Sequence, residues 1–271
     1  MVRSLWSGAT GMLAQQTAVD VISNNIANVN TAGFKTSQME FKSLLYQELQ
    51  AKTTSANGDT KPIDSQVGLG VRNSSITTIF TQGAFLEAGS DSAFAIGGEG
   101  LFGVRLRDGS TGYTRNGDFH FGITTQGLEL TDSNGNAVLD TKGNPIRLNG
   151  DYTTSKLSIS GDGELYYPNE EGQPESLNIR IGLWQFNNPA GLEKMDGSLY
   201  KETAASGRPL NEADNNALSK SKVVQGYLEG SNVQLADEMV NLIIAQRAYE
   251  ANSRVITTSD TMMQQANQLK Q

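Results

Sequence analysis

Residues 231–271 read SNVQLADEMVNLIIAQRAYEANSRVITTSDTMMQQANQLKQ, without a glycine or a proline. Leu235, Leu242, Tyr249, Ile256 and Met263 recur every seven residues, and Met239 stands four places after Leu235. That second position then turns polar at Gln246, Ser253 and Asp260. A seven-residue apolar repeat keeps one face of a helix turned toward a partner helix. Ser231 followed by Gln234 has the spacing of a capping box, and Arg247, Glu250 and Arg254 stand at helical-neighbour spacings with alternating charge. The spacing predicts a helix over 235–268, about 50 Å long at roughly 1.5 Å per residue.

The opposite end of the chain answers it. Leu5, Met12, Val19 and Ile26 also recur every seven residues, with Ala9, Gln16 and Ser23 on the second seam. This predicts a first helix over 4–27 that pairs with the last. Seams carrying Gln, Ser and Asp need further partners, which points to packing within a larger assembly. The run Ser7-Gly8-Ala9-Thr10-Gly11 allows either close helix approach or a frayed terminus. Val21 to Phe34 carries no charge and holds Asn24, Asn25, Asn28 and Asn30, so the helix should stop near Asn28–Asn30. The four amides suggest a half-buried hydrogen-bonding surface.

The middle of the chain is different. Phe41–Leu49 is a short amphipathic stretch, Gln50–Gln66 is polar and linker-like, and Val67–Phe80 has strand character. From Gly83 to Tyr227, short apolar runs alternate with Asp-Gly and Asn-Gly pairs, as in antiparallel hairpins. Expected strands are 94–96, 101–106, 113–115, 119–121, 157–159, 165–167 and 179–186, and 206–222 reads as a polar loop. The expected organisation is an N-terminal helix (1–36), an extended segment (37–82), a β-rich domain (83–227) and a C-terminal helix (228–271). The fold class is mixed α and β: paired terminal helices forming a coiled-coil-like layer, and a central antiparallel β domain.

Composition excludes several functions. A net charge of −8 argues against nonspecific nucleic-acid binding, which needs clustered Lys and Arg. No run of 18 apolar residues predicts membrane insertion, and the N-terminus lacks the apolar core of a secretory signal. With no Cys, thiolate metal sites and Cys nucleophiles are ruled out. Gly98, Gly100 and Gly103 spell G-x-G-x-x-G, but the following residues continue as a strand, not the helix a dinucleotide phosphate needs. Asp132, Asn134 and Asn136 start like a calcium loop, yet Ala137 and Gly143 stand where it needs Gly and Glu. His120 is the sole histidine, between Phe119 and Phe121. Glu170 and Glu171 read as solvated charge. No catalytic, cofactor or metal site is predicted, and the chain is not expected to be an enzyme. A carbohydrate- or cell-wall-binding module using Tyr166, Tyr167 and Trp184 as platforms is a remote alternative.

Residues 24–35, NNIANVNTAGFK, closely resemble the N-terminal motif of the flagellar rod and hook proteins, and residues 246–253, QRAYEANS, resemble their C-terminal motif. Residues 98–102, GEGLF, and 113–119, YTRNGDF, are similar to signatures of the family's middle domain. Residues 3–6, RSLW, with 44–47 and 67–71, are most similar to the distal-rod branch. The proximal rod and hook-type subunits are the alternatives. Gly-Leu-Phe-Gly at 100–103 and a long 160–180 segment depart from the usual pattern. The resemblance implies a structural subunit, polymerising into a helical tube that transmits torque and encloses part of the export channel. It implies other rod proteins, the hook protein, surrounding bushing-ring proteins and the export apparatus as partners. It also implies a periplasmic rod location reached without signal cleavage, and makes Gln50–Gln66 an inter-subunit contact. The expected assembly interface is the two sets of sevens, Met239, and Asn28 and Phe34 of the amide-rich motif.

Overall fold

A computed structural model describes residues 2–50, 65–124, 127–148, 152–153, 156–169, 172–215 and 217–269. Most of the segment expected as linker and subunit contact, and the Glu170-Glu171 pair, lie outside the described residues. Two long terminal helices and a central antiparallel β-rich region are present, as the sequence predicts. They form two compact units: residues 1–27, 37–77 and 234–271, and residues 28–36 with 78–233.

The first unit is built on α1 (Val2–Ala27) and α2 (Leu235–Gln268). The gap-free 34 residues of α2 follow from its lack of Gly and Pro. Its start differs from the expected capping box. Gln234 is the N-cap and makes no side-chain cap bond, while Ser231 Oγ accepts from the Val233 amide instead. Asp237 and Glu238 in the first turn supply the favourable charge at the positive end of the helix. The stretch from Phe41 to Leu49 is extended, in strands Ser37–Ser43 and Tyr46–Gln50, the latter paired antiparallel with Ser65–Gly68. The next expected strand is interrupted at Gly70, whose φ of +116° suits glycine. A side chain at Gly70 would also overlap Thr10 Oγ1.

The second unit centres on strand Leu101–Arg105, which pairs with Thr111–Thr114, Ala137–Val138 and Leu183–Gln185. Its two faces enter two cores. Phe102 and Val104 pack with Phe94, Phe119, Leu130 and Ile181; Leu101 packs with Tyr113, Trp184, Phe186 and Tyr200. Gly103 sits under the Trp184 ring, which leaves no room for a side chain. The expected single strand over 179–186 is in fact two. Pro174–Arg180 pairs with Glu164–Pro168 in a three-stranded sheet, whereas Leu183–Gln185 joins the large sheet. The switch occurs at Ile181-Gly182, where Gly182 lies against both the Trp184 ring and the Asp140 carbonyl. The polar 206–222 segment also carries structure, with a short strand Leu210–Asn211 and buried Ser206, Glu212 and Ser221.

The expected boundary at residue 36 moves to residue 27. Residues 28–36 belong to the β unit, because Gly33, Lys35 and Thr36 bond to residues of that unit rather than continuing the helix.

Candidate assembly surface

Helices α1 and α2 run antiparallel and meet along small and polar residues. Ser4 and Ser259 hydroxyls are 3.0 Å apart, and Asn25 Nδ2 donates to Glu238 Oε1 at 3.3 Å. Between these ends, a methyl group at Gly8 would lie 3.1 Å from Ile256 Cγ1, and one at Gly11 would lie 2.7 Å from Asn252 Nδ2. The same register sets Ala18 opposite Ala245, both buried. The internal seam is therefore Ser4, Gly11, Ala18 and Asn25 on α1 and Glu238, Ala245, Asn252 and Ser259 on α2. Each set recurs every seven residues. Gly8 and Gly11 serve close approach and not fraying. Small side chains let the two backbones come near enough for polar side chains to bond across the seam.

This corrects the position of the second seams expected from sequence. Gln16 and Ser23 on α1, and Met239, Gln246 and Asp260 on α2, are exposed. Of the larger apolar sets, Leu5, Met12, Val19 and Ile26 are half-buried, as are Leu242, Ile256 and Met263. They flank the internal seam. Leu235 and Tyr249 are somewhat more exposed, at 45% and 42%.

A second apolar surface, which the heptad reading passed over, lies away from the seam. Trp6 and Leu13 on α1 are 63% and 65% exposed. On α2, Val240 and Ile244 stand four residues apart, and Val255 and Met262 continue on that side; all four are exposed, Ile244 by 60%. The signal available for this stripe was the double Ile243-Ile244, which a single seam cannot bury on one face. Isolated exposed apolar side chains are ordinary; here two pairs, Val240 with Ile244 and Val255 with Met262, share one side of the helix.

Asn28 and Phe34 lie in the β unit and are half-buried. Phe34 faces the Lys194 ammonium, 5.2 Å from the ring centre. The amide-rich motif works internally: Asn25 donates to the Ser37 carbonyl at 2.8 Å and accepts from the Ser37 amide at 3.0 Å. That pair imitates a strand pairing and fixes the reversal from α1 into strand Ser37–Ser43.

The chemical candidates resolve into structure. Gly98 has φ +140° and leads directly into strand Leu101–Arg105. Asp132 accepts from the Asn134 and Asn136 amides within a hairpin turn. His120 is exposed, 3.9 Å from Asp118. Trp184 belongs to the buried core and offers no platform. Among the described residues, no group of three or more His, Asp or Glu side chains is arranged to hold a metal ion, and no helix is long and apolar enough to cross a membrane.

Three family models match the chain: "Flagella basal body rod protein" over residues 5–35, "Flagellar hook protein FlgE/F/G D1 domain" over 95–167, and "Flagellar basal body rod FlgEFG protein C-terminal" over 224–269. The flagellar basal-body rod protein FlgG of Buchnera aphidicola subsp. Schizaphis graminum is 41% identical, over 99% of this chain and 100% of that protein. The protein of the same name from Borreliella burgdorferi is 39% identical, over 100% and 99% respectively. The one from Bacillus subtilis is 37% identical over the full length of both.

Proposed function

The chain belongs to the FlgG family of flagellar basal-body rod proteins, and on that premise we propose how it works as a structural subunit of the distal rod. The subunit polymerises by burying the Val240–Ile244–Val255–Met262 stripe of α2, with Trp6 and Leu13 of α1, against helices of neighbouring copies. The observation that carries this reading is that these residues stay exposed although α1 and α2 already pack against each other. Leu5, Met12, Val19, Ile26, Leu242, Ile256 and Met263, at the rim of the internal seam, extend the same contact.

A contact repeated between different faces of identical subunits closes into a ring only when its rotation divides a full turn, and otherwise continues as an open helix. Here it generates an open helical tube. Such a tube transmits torque and leaves a channel for exported subunits. Other rod proteins and the hook protein adjoin it along the axis. Bushing-ring proteins surround it, and the export apparatus delivers subunits to the periplasm without signal cleavage. Each buried Val, Ile or Met contributes about 1.5–3 kcal/mol, and the sum over the stripe must exceed an association cost of roughly 4–15 kcal/mol.

Electron microscopy of concentrated protein is the test. Tubes or rod-like filaments from the native chain, and none from Ile244→Asp, are expected. Particles that stay monomeric at every concentration and ionic strength would refute the reading.

A further inference from the structure

Three charged side chains from distant parts of the sequence meet inside the β unit. Lys35 Nζ lies 2.6 Å from Glu229 Oε1, and both side chains are fully buried. Arg115 Nε lies 3.5 Å from the other carboxylate oxygen, and its Nη2 donates to the Gly98 carbonyl at 2.6 Å. Lys35 ends the amide-rich motif, Arg115 lies within residues 113–119, and Glu229 stands just before α2. Lys35 is also the first charge after Asp20, so its burial is not solvated decoration of a loop.

Around this cluster, the segments by which the chain enters and leaves the β unit are tied together. The Gly33 amide donates to the Glu229 carbonyl at 2.7 Å. The Gly83 amide donates to Glu229 Oε1 at 2.9 Å, and Lys35 Nζ donates to the Thr81 carbonyl at 2.7 Å. The Thr36 amide donates to Asn232 Oδ1 at 2.8 Å, while Asn232 Nδ2 donates to the Ile79 carbonyl at 2.9 Å. Gly33, at φ +69°, lies so close to the Asn116 backbone that a side chain would overlap it.

We propose that Lys35, Arg115 and Glu229 form a charge clasp that holds Asn28–Thr36 in the β unit and closes that unit at its chain crossings. The clasp is a conformational device with unequal members. Two cations share one carboxylate, so Glu229 is its centre. Burial pulls the Lys35 ammonium and the Arg115 guanidinium below their ordinary values, and Glu229 opposes that in both; Arg115 also disfavours the Lys35 charge. Removing Lys35 leaves a matched pair. Removing the Glu229 charge leaves two buried cations, of which Arg115 keeps only the weaker influence of Glu212 and Glu99, and this is the costly case.

Amide hydrogen exchange on the full-length monomer tests this. In the native chain, the Gly33, Thr36 and Gly83 amides should exchange as slowly as those of strand Leu101–Arg105. Glu229→Gln keeps the shape and one acceptor but removes the charge. It should speed exchange at the three amides by on the order of a hundredfold or more. Lys35→Met, which retains length and burial, should change them by less than about tenfold. If Glu229→Gln fails to fold while Lys35→Met folds with those amides protected, the same inequality is met. Equal effects of the two variants, unaltered protection in Glu229→Gln, a Lys35→Met that does not fold, or native Gly33 and Thr36 amides exchanging as fast as those of α1 would each overturn the clasp.

Discussion

A methyl group at Gly11 would stand 2.7 Å from the Asn252 side-chain nitrogen, and one at Gly8 3.1 Å from Ile256 Cγ1. Those distances, with the size of the new side chain, set the expectations for two substitutions. Alanine improves an exposed helix over glycine by roughly 1 kcal/mol, whereas overpacking a tight contact costs about 1–3 kcal/mol. At Gly8, Ile256 can turn aside and the two terms nearly cancel, so Gly8→Ala should leave thermal stability within a degree or two of native. At Gly11, a leucine cannot be absorbed by the Asn252 amide. Gly11→Leu should separate the helix pair, read as lost far-ultraviolet helical signal while the β unit keeps its own melting transition. Retention of full helicity in Gly11→Leu would show that the seam is looser than its geometry states. Gly103 offers a parallel test within the β unit. There the obstacle is the buried Trp184 ring, and Gly103→Val should abolish folding of that unit, seen as loss of the tryptophan fluorescence shift.

At the scale of the helix, two substitutions on α2 separate internal packing from assembly. Leu242 is half-buried at the rim of the seam and Ile244 is 60% exposed. A carboxylate at Leu242 loses hydration in the monomer, at a cost of several kcal/mol, and should weaken both helix pairing and assembly. One at Ile244 stays in water, so monomer stability should move by no more than about 0.5 kcal/mol. Assembly should still fail, because the neighbouring copy would have to bury the charge. Thermal melts and sedimentation of the two variants check this; an Ile244→Asp chain that polymerises normally would move the interface to another face. The comparison also shows what the sequence could convey. Both helices were legible because α2 lacks Gly and Pro and because both ends carry apolar sevens. The second seam was misplaced, by two residues on α1 and one on α2, since the buried positions are Gly, Ala, Ser and Asn, which together form no apolar pattern. Their role comes from backbone proximity, which side-chain polarity does not report. The false single strand over 179–186 has a similar cause. Ile179, Ile181 and Leu183 alternate as one strand would, but Gly182 packs under Trp184 and turns the chain into a different sheet. The Arg115–Glu229 contact was unreadable because their separation in sequence carries no local signal, while Lys35 left a faint one at the end of an uncharged run.

For the whole molecule, the division between units predicts how a protease should see it. The basic side chains on α2, Arg247 and Arg254, are exposed. Lys35 and Arg115 are fully or almost fully buried and ion-paired. The α1–α2 pair carries an exposed apolar stripe and a seam of small residues, so it buries little apolar surface to offset the entropy of ordering two long helices. The β unit has two buried cores and a clasp that draws in residues 28–36. Local opening should therefore be frequent in the helices and rare in the β unit. In dilute monomer, trypsin is expected to cleave quickly at Arg247 and Arg254 and to spare Lys35. The resistant fragment should then retain residues 28–36 along with the strands of the β unit, rather than beginning near residue 70 as a plain linker reading would have it. If neighbouring helices cover α2 in assembled tubes, cleavage at Arg247 and Arg254 should slow as polymer forms, coupling order to assembly. Mass spectrometry of timed digests decides between the possibilities. Rapid cleavage after Lys35 in a chain whose strand Leu101–Arg105 stays intact would contradict the boundary at residue 27. Protection of Arg247 and Arg254 in a chain shown by sedimentation to be monomeric would mean that the helix pair is self-sufficient, and that assembly adds contacts without ordering it.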